Sequence, residues 1–175
     1  ATFEQVRRIY DSIEIPPEEA GGPISALVQI RKAQLFARHQ NWDEAFEAYY
    51  RAWSQTRKDN PVHNYAMAEA QTSMLKRLRE LDRAGDYEGI TALYERYSLS
   101  FLKEIQDPAI LFLLAGAMEH QAKLKPAREL YAAYARLDQP LSPEALSRLA
   151  ALDETDGNLE GALGWCEAYR SEERR

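Results

Sequence analysis

Three histidines, His39, His63 and His120, are the first residues here that could act as a base or bind a metal. They fall in three different hairpins with no HExxH spacing, at helix ends or exposed positions where a solvated histidine is the ordinary outcome. Cys166 is the single cysteine, which excludes an internal disulfide framework and a zinc site of several thiolates. Its place in the pattern described below predicts a small buried hydrophobe, with a reactive thiolate as the minor reading. The glycines form neither GxGxxG nor GxxxxGK[ST]. Gly157 reads as a turn, and Gly161 and Gly164 as close-packing positions. "DETDGNLEG" has the composition of a calcium loop, but counting back from Gly157 puts Leu152 where the first ligand aspartate belongs. No catalytic constellation, metal site or cofactor is expected.

Composition narrows the class further. With 28 acidic and 22 basic residues the net charge is −6, which argues against affinity won mainly by neutralising phosphates, so no nucleic-acid partner is expected. Hydrophobic residues make up 45% of the 175, enough for a core in a chain of one-domain size. No apolar run approaches the roughly 20 residues that span a bilayer. The chain begins at Ala1 without methionine, which fits removal of a signal peptide, lipid anchor or further domain. A cytoplasmic setting is the default reading, and a periplasmic or lipid-anchored one follows if a signal was removed.

The elements behind these residues are helices. Asn60-Pro61, Asp107-Pro108 and Ser142-Pro143 each set a capping side chain before a proline suited to the first helical position, with Gly22-Pro23 as a weaker version. Turn signals at "HQNWD", "AGDYE", "KLKP" and "DGNLE" divide each following segment into two helices. Four hairpins result, at about 23–59, 60–106, 107–141 and 142–172, the second overlong as about 61–84 and 87–105. Residues 1–22 read as a capping helix and linker, with Thr2 and Gln5 in capping-box spacing and a stop before Pro16-Pro17. The apolar face of that helix, Phe3, Val6, Tyr10 and Ile13, either folds back as a cap or is buried in a second subunit, so a homodimer is the alternative.

Second helices share one pattern. Trp42, Ala45, Tyr49 and Ala52 step by three, four and three, as do Tyr87, Ile90, Tyr94 and Tyr97, then Leu124, Ala127, Tyr131 and Tyr134, then Leu159, Ala162, Cys166 and Tyr169. Such steps keep residues on one side of a helix, so Trp42, Tyr49, Tyr94 and Tyr131 are expected to be packing residues and Tyr50 to be partly exposed. In the first helices Leu111, Leu114, Ala115 and Met118 correspond to Leu146, Leu149, Ala150 and, less well, Asp153.

These repeats resemble the tetratricopeptide family across about residues 24–172, best at 111–139, with Ile90 standing where the family has alanine. The resemblance implies an all-α fold, a right-handed α-α superhelix of about four TPR-like helical hairpins preceded by a short helix. Its function would be that of a non-catalytic scaffold for protein–protein interaction, holding a peptide or partner in a concave groove. "MEHQAKLKPARELYAAYARL" is also similar to the half-a-TPR repeats of RNA-processing assemblies, the alternative reading, although Phe112 stands where that family has tryptophan.

The family's inward positions, carried over one by one, are Gln34 and Arg38 in the first hairpin and Arg79 and Arg83 in the second. In the third they are Phe112, Gly116, Glu119 and His120, and in the fourth Arg148 and Ala151. Arginines beside an apolar Phe112 would suit an acidic or carboxylate-bearing segment. Solvated arginines with acidic neighbours three or four residues away are the equally ordinary outcome. The chaperone-type carboxylate clamp is disfavoured, because Asn41, Asn60, Asn64 and Asn158 all lie in turns or near helix starts.

Overall fold

The computed structural model describes residues 3–13, 22–97, 99–137 and 142–173, and every regular element among them is an α-helix. In chain order these are α1 (Phe3–Asp11), α2 (Pro23–Arg38), α3 (Trp42–Ser54), α4 (Pro61–Ala84) and α5 (Tyr87–Arg96). They continue with α6 (Leu99–Lys103), α7 (Pro108–His120), α8 (Leu124–Leu137), α9 (Pro143–Thr155) and α10 (Leu159–Glu173). Packing divides the chain into two compact units, residues 1–77 and 78–175. Thr2 and Pro16-Pro17 lie outside the described residues.

Side-chain capping sets three of the helix starts. Asn60 Oδ1 accepts from Val62 N at 2.9 Å, Asp86 Oδ1 from Gly89 N at 2.8 Å, and Asp107 Oδ1 from Ala109 N at 2.9 Å. Ser142 departs from expectation, since its hydroxyl makes no capping bond and α9 starts on Pro143 alone. The expected helix over 87–105 is broken: Tyr97 adopts an extended backbone (φ −102°, ψ 153°) between α5 and α6. Its ring is buried near Phe101, so the break brings two aromatic side chains into the core.

Four turns close identically. One or two residues past each helix end a residue has a positive φ, 60° at Gln40, 70° at Gly85, 55° at Ala122 and 77° at Gly157. The next amide then donates five residues back, Asn41 to Phe36 O, Asp86 to Leu81 O, Lys123 to Met118 O and Asn158 to Asp153 O, at 2.8–3.0 Å. This is the Schellman closure, which satisfies carbonyls that a helix end otherwise leaves open. It makes Phe36, Leu81, Met118 and Asp153 equivalent positions, and all four are buried.

In the unit 1–77, α2 packs on α3, with fully buried alanines on both, Ala26 and Ala33 on α2 and Ala45 and Ala52 on α3, beside the larger buried Ile30, Phe46 and Tyr49. The α1 helix lies on α2: Phe3 meets Phe36 edge-on at 6.1 Å and His39 at 4.4 Å, and Lys32 bonds Asp11 at 2.9 Å. None of its residues is fully buried, and Ile9 and Ile13 are exposed.

In the unit 78–175, α7 packs on both α5 and α8, α8 on α9, and α9 on α10. Leu114, Ala115, Ala127, Leu146 and Leu149 have no accessible surface, and neither does Ile90, which lies inside the core.

Candidate functional site

The unit 78–175 holds a cavity of about 520 Å³. Gly116 on α7 leaves it open: a methyl group there would lie 3.8 Å from Tyr131 Oη, an ordinary contact, with the cavity beyond. Phe112, one turn earlier, presents its ring at the cavity and meets Tyr131 edge-on at 5.7 Å. At the end of α7, His120 stacks flat on Tyr87 at 4.0 Å.

Glu119 organises the polar part. Its Oε2 accepts from Tyr131 Oη and its Oε1 from Arg148 Nη1, both at 3.1 Å, which joins α7 to α8 and α9. Burial, reinforced by the Glu119 carboxylate, pushes the Tyr131 hydroxyl well above the ordinary phenol range, so it stays a donor at neutral pH. Asp82 and Glu144 complete the rim, and neither side chain has a hydrogen bond or ion pair among the described residues.

Of the sequence-predicted groove residues, the structure therefore brings together Phe112, Gly116, Glu119, His120 and Arg148. Ala151 is exposed on α9 and does not line the cavity, and Arg79 and Arg83 are exposed on α4 and do not line it either. Gln34 and Arg38 belong to the unit 1–77. There Gln34 donates to Tyr65 Oη and accepts from Arg31 Nη1, both at 3.0 Å, and Arg38 is exposed. Asp82, Tyr87, Tyr131 and Glu144 were not singled out as groove residues. The two tyrosines carry the packing pattern, which hides that both also line a cavity.

A second polar cluster lies in the same unit. Asp153 has no accessible surface; its Oδ1 accepts from Arg128 Nε and its Oδ2 from Trp165 Nε1 at 2.8 Å. Burial alone would raise its pKa, but the bonds from Arg128, Trp165 and Asn158 outweigh it and hold the carboxyl below its ordinary value. Gly161 makes room for this, since a methyl group there would sit 2.5 Å from Asp153 Oδ2. Arg128 on α8 and Trp165 on α10 both bond this α9 carboxylate, so the cluster is a structural tie between the three helices.

Several expectations are corrected. His63 is buried, not solvated: its Nδ1 lies 3.1 Å from Trp53 O and 3.0 Å from Thr56 O, which can only accept, so Nδ1 carries the proton and pins the start of α4 to the end of α3. Cys166 is exposed rather than buried, on the same side of α10 as Leu159 and Leu163, each about two-thirds exposed. Gly164 has open space around it and is no close-packing position. Tyr49 and Tyr131 are buried as the pattern predicts, whereas Trp42 and Tyr94 are only half-buried. Trp42 instead carries Lys76 Nζ 4.0 Å above its ring.

Among the described residues no group of three or more histidine, cysteine or acidic side chains is arranged to hold a metal ion, and no helix is long and apolar enough to cross a membrane. No family model matches the chain, and comparison with curated proteins finds no match.

Proposed function

We propose that this chain is a non-catalytic, tetratricopeptide-like scaffold that mediates protein–protein interaction, its hairpins arrayed as a right-handed superhelix. The observation that carries the reading is the Phe112–Gly116–His120 cavity. It opens along α7 and α9, the first helices of their hairpins, where a solenoid presents its concave surface. Supporting it are the four identical turn closures, which give each hairpin the same local geometry. A cavity lined by apolar and aromatic side chains together with a few placed polar groups suits one side chain of an extended partner segment.

Gly116→Leu tests this by filling the cavity from a position where the first added carbon makes an ordinary contact. Partners captured from native lysate by the wild-type chain and lost by Gly116→Leu, with the helical circular dichroism unchanged, are the expected outcome. Retention of the same partners would place binding elsewhere. A gel shift with mixed RNA that the variant abolishes would move the reading to an RNA-processing role.

A further inference from the structure

We infer that the occupant of the Phe112–Gly116–His120 cavity is a basic side chain, arginine or lysine, of the partner segment. This rests on the docking role proposed above and adds the chemistry of what docks.

The charges decide the sign. Three carboxylates, Asp82, Glu119 and Glu144, line the cavity against one guanidinium, Arg148, leaving a formal charge of −2 with His120 neutral. Arg148 is held by Glu119 at 3.1 Å, so the single cation is already offset. The second Glu119 oxygen is taken by Tyr131. The unbalanced charge therefore sits on Asp82 and Glu144, at the rim, where neither has a hydrogen bond or ion pair among the described residues. An incoming carboxylate would meet net repulsion there, whereas a cation would meet two unpaired acceptors.

The walls agree with the charges. Phe112 and the stacked Tyr87–His120 pair line the same space, and aromatic rings attract cations. A guanidinium suits such a site best, because its flat surface stacks on rings while its edge forks to carboxylates. A volume of about 520 Å³ falls within the usual range for a pocket that encloses a small ligand or side chain.

Selection of phage-displayed random heptapeptides on the whole chain tests this. Asp82→Asn with Glu144→Gln removes both free charges at exposed positions, and Gly116→Leu serves as the filled-cavity control. Enriched peptides should carry arginine or lysine at a recurring position and fail to bind Gly116→Leu. Their synthetic copies should bind the charge-neutralised double variant about tenfold or more weakly, with the loss shrinking as salt screens the rim. Enrichment of acidic or uncharged peptides that still need the open cavity would overturn the basic-occupant inference and leave the docking role standing. Peptides of any charge indifferent to Gly116→Leu would overturn both.

Discussion

The third and fourth hairpins, α7–α8 and α9–α10, share one turn closure yet hold themselves together by different chemistry. Where α7 ends, the apolar Met118 is buried; at the equivalent place in α9 stands Asp153, equally buried but tied by Arg128 and Trp165. The backbone accepts either residue, because Met118 O and Asp153 O receive the same five-residue-back amide bond. A repeat thus fixes where a side chain points and leaves open what it does there. An apolar occupant is stable alone, whereas a carboxylate requires every partner it has.

The largest expected difference comes from removing the carboxylate. Asp153→Ala should destabilise the unit by about 3 kcal/mol, the lower end for breaking a buried ion pair, because Arg128 keeps 41% of its side-chain surface in water. Met118→Ala should fall in the same range, about 2–5 kcal/mol, through the cavity it opens. The two are separated by a second change: Arg128→Met should recover part of the Asp153→Ala loss and none of the Met118→Ala loss, as measured by urea unfolding. Equal behaviour of both double variants would show that Asp153 is merely filling space.

Acid should distinguish the hairpins next. Because the folded Asp153 carboxyl titrates below its unfolded value, its contribution is fully present above the unfolded pKa of about 4 and is lost as pH falls through the folded one. Melting temperature followed from pH 6 down to pH 2 should therefore drop more steeply for the wild-type chain than for Asp153→Met, which copies the third hairpin. Parallel curves would remove Asp153 from any role in acid sensitivity.

What the sequence made legible in these hairpins was the local part. Turn positions and proline-led helix starts follow from contacts a few residues apart, which spacing records directly. Asp153 looked like a poor match because its partners lie 25 residues before it and 12 after, on two other helices. Cys166 shows the complementary failure. Periodicity places it with Leu159, Ala162 and Tyr169, but which residues share a side does not decide whether a neighbouring helix covers it. The cavity was half legible for the same reason: Phe112, Gly116, Glu119 and His120 share α7, while Asp82, Tyr87 and Glu144 reach it from other elements.

The smallest effect sharpens the comparison at the turn itself. Both closures need a residue with positive φ, and the fourth hairpin uses Gly157 while the third uses Ala122. Holding an L-residue in that region costs roughly 1–2 kcal/mol, and glycine avoids it at the expense of about 0.4–1 kcal/mol of extra unfolded-state freedom. The balance favours glycine, so Ala122→Gly should stabilise the chain by about 0.5–1 kcal/mol. Gly157→Ala should destabilise it by a similar amount, purely through the backbone, because nothing lies within 4 Å of where its methyl would go. In the double swap the two effects should cancel to within a few tenths of a kcal/mol, since the positions share no contact. A destabilising Ala122→Gly would mean that the alanine methyl makes a packing contact that offsets its backbone strain, and the third turn would then owe its geometry to its side chain and the fourth to its backbone.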